Sequence, residues 1–265
     1  DFLFNFSKNS KVWLSSPTWP NHAPIFTSSG FNVENYKYFD KKNNNIDFDG
    51  MLESIKGIPE NDIVVLHGCC HNPTGADLNK DQWIEITELI RKKNLVTICD
   101  FAYQGLGEGI ENDAVGVRTL LKNLDNLIIC SSYSKNFGLY SERVGCLIYH
   151  SKNMNNYASV QSNFKKVART IYSNPPSHGS DIVKTILSDE NLKSLWEINL
   201  SEAKNRIINM RKSLVENLVK ENCSRNFEFI INQKGMFSFT GLSSDEVNQL
   251  KEKFSIYIVN SGRIN

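Results

Sequence analysis

The feature that most constrains the fold of this chain is an alternation of two kinds of segment. Short apolar runs that end in polar residues, at 62–68, 95–100, 126–132 and 143–150, are separated by segments in which apolar residues recur with helical period. This alternation is typical of parallel strands joined by helical crossovers. The sequence therefore predicts an open α/β sheet over the first part of the chain.

The clearest helical segment lies at 79–94. Trp83, Ile86 and Ile90 fall on one broad apolar stripe, and Asn79 with Gln82 forms an approximate capping box. Further helices are predicted at three places, which are 112–124, 153–170 and 180–221.

The end of the chain reads as a second, smaller unit. Residues 227–242 predict a hairpin that turns at 233–235, residues 243–254 a helix, and residues 255–260 a last strand. We therefore expect a large domain at 1–195 and a smaller α+β domain at 196–265.

Composition and charge exclude several classes of protein. The net charge of +1 comes from 30 basic and 29 acidic residues scattered along the chain, which is unlike a nucleic-acid-binding surface. Six cysteines, with Cys69 next to Cys70, are too few for a disulfide scaffold and fit a reducing compartment. No apolar run reaches the roughly 18 residues of a membrane span. We expect a cytoplasmic protein without membrane partners; because the chain opens at Asp1, a mitochondrial location stays open.

Polar and reactive side chains stand where the predicted strands end. Asp100 closes one strand, and Tyr103 follows three residues later. Lys135 lies just past the next strand, and Asn72 just past an earlier one. The carboxyl ends of strands in an open α/β sheet face the ligand crevice. If the strands of Asp100 and Lys135 are neighbours, about 4.8 Å apart, the two groups can address opposite ends of one aromatic ring.

Pyridoxal phosphate has chemical demands that match these side chains. Its aldehyde requires a lysine, its pyridinium nitrogen requires a carboxylate, and its phosphate requires hydroxyls and a guanidinium. Lys135 and Asp100 supply the amine and the carboxylate. Ser132, Ser134 and Arg143 supply the phosphate-binding groups. The residues therefore predict pyridoxal phosphate as the cofactor.

Seven short motifs, in order along nearly the whole chain, carry a resemblance to a known family. They are TWPNH at 18–22, HNPTG at 71–75, DFAYQG at 100–105, SYSKNFGLYSERVG at 132–145, YSNPP at 172–176, KGMFSFTGL at 234–242 and SGRIN at 261–265. Together they resemble the class I aminotransferases of the type I pyridoxal-phosphate fold, and among these the aspartate aminotransferases. The resemblance implies a three-layer α/β sandwich with a mostly parallel sheet, followed by part of a smaller α+β domain.

The resemblance also implies roles around the cofactor. Lys135 holds the cofactor and is the catalytic base, and Asp100 binds the ring nitrogen. Asn72 and Tyr103 bind the ring oxygen, and Trp19 stacks on the ring. Trp19 and Asn72 are expected to contact the substrate as well.

Further roles concern the substrate and the support of the site. By resemblance, Arg263 binds the α-carboxylate of the substrate. Arg169 binds the distal carboxylate of aspartate, glutamate or 2-oxoglutarate, reaching in from the partner subunit of a homodimer with shared active sites. His22 and His67 orient Asp100 and its surroundings.

The implied reaction is amino-group transfer from aspartate to 2-oxoglutarate, which gives oxaloacetate and glutamate. Two alternatives stay open. One is an aminotransferase for aromatic or other amino acids, and the other is a non-catalytic dimer scaffold. The scaffold stays open because the family's chain is longer at both ends, and its Ser-Gly-Thr turn for the phosphate has no counterpart in these residues.

Two other motifs point to different chemistry, and the sequence argues against both. The glycines at 105–109 lie between a strand and a helix, but their spacing and the absence of an acid after the next strand disfavour a dinucleotide site. The segment 67–71 offers two histidines and two cysteines, yet it lacks a second ligand pair at zinc-site spacing. We therefore expect no metal.

Overall fold

A six-stranded sheet lies at the centre of the larger part of the molecule. The computed structural model describes residues 1–265, with the side chain of Met154 left aside. The strands are β1 Val12–Ser16, β2 Val33–Lys37, β3 Phe39–Asp40, β4 Asn45–Ile46, β5 Ile63–His67, β6 Val96–Phe101, β7 Asn126–Ser132, β8 Gly145–Ser151, β9 Ser238–Phe239 and β10 Arg263–Ile264. The large sheet has the order β2-β1-β5-β6-β7-β8.

The pairing confirms a mostly parallel α/β sheet. Neighbouring strands from β2 to β7 run parallel, and β8 pairs antiparallel with β7 at one edge. The four strands predicted from apolar runs correspond to β5, β6, β7 and β8. Strands β1 and β2 are not predicted from apolar runs, because their outward residues interrupt the apolar pattern.

Helices connect the strands and cover the sheet. They are α1 Phe2–Phe6, α2 His22–Ser28, α3 Phe48–Lys56, α4 Lys80–Lys92, α5 Ile110–Asp113, α6 Val115–Asn123, α7 Tyr157–Tyr172, α8 His178–Ser188, α9 Glu190–Lys220 and α10 Ser244–Phe254. The capping box before α4 is confirmed, with Asn79 and Gln82 each accepting the other's backbone N–H at 2.9 Å. Of the helices described, none has the length and apolar character needed to cross a membrane.

Both faces of the central strand β5 are buried, which is why its sequence is a continuous apolar run. In β5, Val64 and Leu66 point to one side, where they join a cluster that includes Trp83 of α4. Ile63 and Val65 point to the other side and join a second cluster. These clusters on opposite faces produce the three layers that the resemblance implied.

The helix predicted at 180–221 is two helices, α8 and α9. The chain leaves helical geometry at Asp189, where φ is −110° and ψ is 120°. The Asp189 carboxylate accepts the backbone N–H groups of Asn191 at 2.9 Å and Leu192 at 3.0 Å. Asp189 is therefore the N-cap of α9, since its side chain satisfies donors that a helix start leaves unpaired. The predicted domain boundary at 195/196 falls inside α9 and stays a prediction.

Two predictions for the C-terminal unit are wrong. Residues 228–232 form a 3-10 turn instead of the first strand of a hairpin. Residues 255–260 form no strand, and β9 pairs antiparallel with β10 instead. A strand requires a neighbour for its backbone groups, and β10 occupies the place beside β9. The predicted helix at 243–254 is confirmed as α10.

Arg211 of α9 holds the turn that precedes β9. Its side chain is 7% exposed. Its Nε donates to Oγ of Ser238 at 2.8 Å, and its Nη2 donates to the carbonyl of Phe237 at 3.0 Å and to that of Gly235. The same turn contacts the segment between β5 and α4, because the N–H of Lys234 donates to the carbonyl of Gly75 at 2.6 Å. One buried guanidinium therefore joins α9 to the turn.

We expect Arg211→Met to lower the free energy of unfolding by about 2–4 kcal/mol, because buried acceptors lose their donors. Arg211→Lys should recover only part of the loss, since an ammonium lacks the planar fork of a guanidinium. Denaturant unfolding measures the effect. The matched control is Arg206→Met, an exposed position of the same helix, which should change stability by less than about 0.5 kcal/mol. Equal stability of the two methionine variants would contradict this role.

Candidate active site

The strand β6 lies between β5 and β7, so the candidate catalytic residues at the ends of these strands lie close together. Asp100 of β6 is in register with His67 of β5 on one side and with Cys130 of β7 on the other. Lys135 follows the end of β7 by three residues, because β7 ends at Ser132. The expectation that the strands of Asp100 and Lys135 are neighbours is therefore confirmed.

Asp100 is oriented by a histidine at the start of α2. Nε2 of His22 lies 3.1 Å from Oδ2 of Asp100, and Nδ1 lies 2.8 Å from Oγ1 of Thr18. Both ring nitrogens of His22 therefore have a partner, and the ring bridges Thr18 and Asp100. The Trp19 ring meets the His22 ring edge-on at 5.4 Å. Since the Asp100 side chain is 20% exposed, the carboxylate still faces open space.

Behind Asp100 the histidines form a buried column. The His67 ring centroid lies 5.2 Å from that of His22 and 4.2 Å from that of His71. Burial, with a smaller contribution from His71, lowers the pKa of His67 well below its usual value. Both ring nitrogens of His67 are without a hydrogen-bond partner among the described side chains. His67 therefore lies between the other two histidine rings, and its residue is also in register with Asp100 on the neighbouring strand.

His71 is a fully paired, neutral member of the same column. Its Nε2 lies 3.0 Å from Oγ of Ser15, and its Nδ1 lies 2.8 Å from Oγ1 of Thr74. The Tyr38 ring stacks on it at 4.0 Å. Burial, reinforced by His22, lowers the pKa of His71 to about 3. His67 and His71 thus place no charge behind Asp100 at neutral pH.

The burial of His71 in its neutral form predicts that the stability of the fold depends on pH. Unfolded His71 binds a proton below about pH 6.5, whereas the folded pKa is about 3. The folded pKa is lowered, so the stabilisation is full above about pH 6.5 and is lost as the pH falls towards 3. His71→Asn should reduce the slope of unfolding free energy against pH, between pH 5 and 6, by about 1.4 kcal/mol per pH unit.

Denaturant unfolding at several pH values measures that slope. His178→Asn is the matched control, because the His178 side chain is 74% exposed. This control should leave the slope unchanged. An unchanged slope in His71→Asn would mean that His71 is protonated in the folded protein.

On the other side of the pocket, three side chains form a hydrogen-bonded chain. The Asn72 amide donates to the hydroxyl oxygen of Tyr103 at 3.1 Å and accepts from Nη1 of Arg263 at 3.2 Å. The Arg263 guanidinium lies over the Phe237 ring at 4.4 Å. Burial, opposed by the bond from Asn72, raises the pKa of Tyr103 to about 12. Tyr103 therefore keeps its proton at neutral pH and can donate it to a ligand oxygen.

The backbone around Lys135 is held from two directions. The Asn136 side chain donates to the carbonyl of Gln104 at 3.2 Å, and the indole N–H of Trp196 donates to the carbonyl of Asn136 at 2.8 Å. The Phe137 ring stacks on the Trp196 indole at 4.6 Å. The lysine thus projects from a loop that is fixed both to the segment after β6 and to α9.

The Lys135 amine is partly buried beside aromatic and charged groups. Its Nζ lies 4.3 Å from the centroid of the Tyr140 ring. Burial, and then the nearby Arg143 guanidinium, lower the pKa of Lys135, while Asp100 acts in the opposite direction. A lowered pKa favours the neutral, nucleophilic amine.

The other predicted site residues include the phosphate-binding candidates Ser132, Ser134 and Arg143, and the substrate-binding candidate Arg169. Ser134 is buried, and its N–H donates to Oγ of Ser132 at 3.2 Å. Arg143 is exposed and donates to the carbonyl of Tyr140 at 2.7 Å. Arg169 is exposed on α7, and no hydrogen bond or ion pair links its side chain to the Lys135 pocket among the described residues. Its predicted role therefore depends on a second subunit.

Several residues of the site were not singled out from the sequence. They are Trp196, Phe237, Tyr140 and Asn136. Tyr140, Asn136 and Phe237 lie inside the motifs that carry the family resemblance, and those motifs are the sequence signal for them. Trp196 lies in the long helix α9, where the sequence pattern predicts that an aromatic residue simply packs in the core.

Two clusters have the residue types of a metal site. The potential ligand atoms of His22, His67 and Asp100 lie within 4.8 Å of one another. The same holds for Cys69, Cys70 and Asp113. The Asp113 carboxylate already accepts three backbone N–H groups at 2.7–3.0 Å, and His22 already contacts Asp100. Hydrogen bonding within the chain thus accounts for the position of both carboxylates.

Comparison with known proteins places this geometry in a family. The family model for aminotransferase class I and II matches residues 1–265. The chain belongs to this family. The aspartate aminotransferase of Escherichia coli is 43% identical over 265 residues, which cover 100% of this chain and 67% of the relative. The aromatic-amino-acid aminotransferase of the same organism is 42% identical over 264 residues, covering 100% of this chain and 66% of the relative.

Solved structures of the family superpose closely. The aromatic-amino-acid aminotransferase from Burkholderia pseudomallei, covalently bound to pyridoxal phosphate, has a TM-score of 0.98 and 46% identity. That match covers 99% of this chain and 66% of the solved chain. The chain therefore spans about two thirds of the length of these aminotransferases. Aspartate and aromatic-amino-acid aminotransferases are almost equally similar to it, so overall identity does not decide the substrate.

Proposed function

We propose that this chain is the cofactor-binding part of a pyridoxal-phosphate-dependent aminotransferase that transfers the amino group between aspartate and 2-oxoglutarate. The observation that carries the proposal is the arrangement of Asp100 and Lys135. They stand at the ends of adjacent parallel strands, with Asn72, Tyr103 and Arg263 joined in a hydrogen-bonded chain beside them.

The side chains fit the chemistry of pyridoxal phosphate. The carboxylate of Asp100 is held on one oxygen by His22 and remains partly exposed, as a partner of a protonated ring nitrogen must be. The protonated Tyr103 hydroxyl can donate to a phenolate oxygen. Bound pyridoxal phosphate supplies an aldehyde for the amine and an electron sink for the substrate α-carbon. Relatives of the family, one of them covalently bound to this cofactor, support the same assignment.

Each polar residue then has a defined task. Asp100 keeps a proton on the ring nitrogen, since a carboxylate stabilises the cationic form. Nζ of Lys135, as a free base, takes the proton from the α-carbon of the substrate. The Arg263 guanidinium binds the α-carboxylate of the substrate through its planar N–H donors. Trp19 and Asn72 line the same pocket, and Ser132, Ser134 and Arg143 bind the phosphate.

Arg169 favours a dicarboxylate substrate over an aromatic one. A guanidinium in the side-chain pocket would pair with the distal carboxylate of aspartate or 2-oxoglutarate. The second candidate, transfer from aromatic amino acids, is favoured by the similarity to aromatic-amino-acid aminotransferases. Both candidate functions use Lys135, Asp100 and Arg263. Only the one with dicarboxylate substrates uses Arg169 to bind the substrate side chain.

A symmetric homodimer is part of the proposal. Arg169 is exposed on α7, so it is available to complete the pocket of a second subunit. We also propose a reducing, cytoplasmic compartment, because the cysteines of the described chain are free thiols.

The first test concerns Lys135. The chain is mixed with pyridoxal phosphate and borohydride, and the reduced adduct is located by peptide mass spectrometry. We expect the adduct at Lys135, and its loss in Lys135→Ala, because the pocket lowers the pKa of this amine. The matched control, Lys152→Ala, removes a surface lysine paired with Asp125 and should keep the adduct. An undiminished adduct in Lys135→Ala would sink the proposal and favour the non-catalytic scaffold.

The second test concerns Arg169 in the full-length protein. Arg169→Ala should lower kcat/KM for aspartate by an amount equivalent to about 2–5 kcal/mol, as for the loss of one partner of a desolvated charge pair. The value for phenylalanine should change little, because an aromatic side chain has no carboxylate to pair. Steady-state kinetics with both donors measure the difference. Lys165→Ala, at an exposed position one turn earlier on α7, is the matched control.

A shared active site also predicts that two inactive variants restore activity to each other after subunit exchange. Lys135→Ala and Arg169→Ala homodimers are each expected to be nearly inactive with aspartate. After subunit exchange, one pocket of the heterodimer has both defects and the other has neither, so aspartate turnover should return. If heterodimers verified by mass stay inactive, Arg169 does not act across the interface.

A further inference from the structure

The free amine of Lys135 lies over the face of an aromatic ring. Its Nζ lies 4.3 Å from the centroid of the Tyr140 ring and 5.9 Å from that of Tyr103. Among the side chains that the structure describes, no carboxylate lies within ion-pair distance of this amine. A distance of 4.3 Å is well inside the roughly 6 Å range of a cation–π contact.

The groups that face Lys135 explain why a ring is needed there. Asp100 at the end of β6 attracts the ammonium, and Arg143 on the same loop repels it. The Tyr103 ring lies farther from the amine than the Tyr140 ring, at 5.9 Å, and its hydroxyl accepts from Asn72, which in turn accepts from Arg263. An acid in place of the ring would form an ion pair and hold the amine protonated. A ring face attracts the ammonium more weakly, so the amine can leave it.

The Tyr140 ring is itself fixed in position. Its backbone carbonyl accepts from Nη1 of Arg143 at 2.7 Å, and its hydroxyl lies 3.9 Å from the sulfur of Met236 in the C-terminal unit. The loop is also held by Asn136, which bonds the segment after β6. These contacts hold the backbone of Tyr140 and the hydroxyl end of its ring, while 47% of the residue is exposed.

We propose that Tyr140 is a positioning residue whose ring face binds the free ammonium of Lys135 by a cation–π contact. This proposal rests on the proposed function, because a lysine that is alternately bound and free requires a defined place when it is free. The contact restricts a long side chain that would otherwise lose its orientation towards the pocket. It also stabilises the charged form of the amine against the effects of burial and Arg143.

The test measures the pKa of Lys135 in the cofactor-free chain. Competitive labelling with an isotopically coded anhydride, read by peptide mass spectrometry at several pH values, gives the pKa of this single amine. Tyr140→Leu should lower it by about 0.5 pH unit, because a ring stabilises the cation and an alkyl group does not. Tyr140→Phe should restore the original value, since the ring and not the hydroxyl makes the contact.

Two further sets of variants distinguish an effect of the Tyr140 ring from a general disturbance of the loop. Tyr133→Leu removes another aromatic of the same loop, which packs edge-on against Phe137 at 5.4 Å, and should leave the Lys135 pKa unchanged. A series of phenylalanines with increasing ring fluorination at position 140 keeps the shape and weakens the negative face, so the pKa should fall stepwise. Lys152 in the same digest is the internal reference.

Three outcomes would overturn the proposal. They are an unchanged pKa in Tyr140→Leu, an equal fall in Tyr140→Phe, and an equal fall in Tyr133→Leu. The labelling requires neither substrate nor turnover. If Lys135→Ala kept full aminotransferase activity, the proposed function would fail, while the labelling experiment would still report on the contact between Tyr140 and Lys135.

Discussion

Parallel backbone pairing among β5, β6 and β7 is the interaction on which the rest of the site depends. It sets His67 opposite Asp100 and Phe101 opposite Ser131, so segments far apart in sequence end at one edge. A slip of one residue would turn Asp100 to the other face of the sheet. Burial of apolar side chains on both faces opposes such a slip, because each strand would exchange its two apolar faces.

Burial divides the polar groups of this edge into neutral and charged sets. His67 and His71 lie inside the molecule, where desolvation keeps them uncharged. Asp100, Lys135 and Arg263 lie at the pocket surface, where water or a ligand can compensate their charge. The uncharged rings of His67 and His71 lie behind His22, which contacts the Asp100 carboxylate, and they add no competing charge.

The helix α9 connects the two sides of the pocket. Near its start, Trp196 bonds the loop that carries Lys135. Further along, Arg211 bonds the turn that carries Phe237, whose ring lies under Arg263. The residue proposed to hold the cofactor and the residue proposed to bind the substrate carboxylate are therefore both tied to one helix. A change in the position of α9 would move both together.

The sequence by itself determined the elements whose signals are local. The runs of β5 to β7, the capping box at Asn79 and the strand-end placement of Asp100 and Lys135 all depend on residues close together in the chain. Only the tertiary structure decided which distant segments meet. It paired β9 with β10 instead of forming a hairpin, ended a long helical pattern at Asp189, and brought Trp196 to the lysine loop. The physical reason is that helix and strand periods report which face of a segment is buried, whereas backbone pairing and packing between distant segments depend on the whole fold.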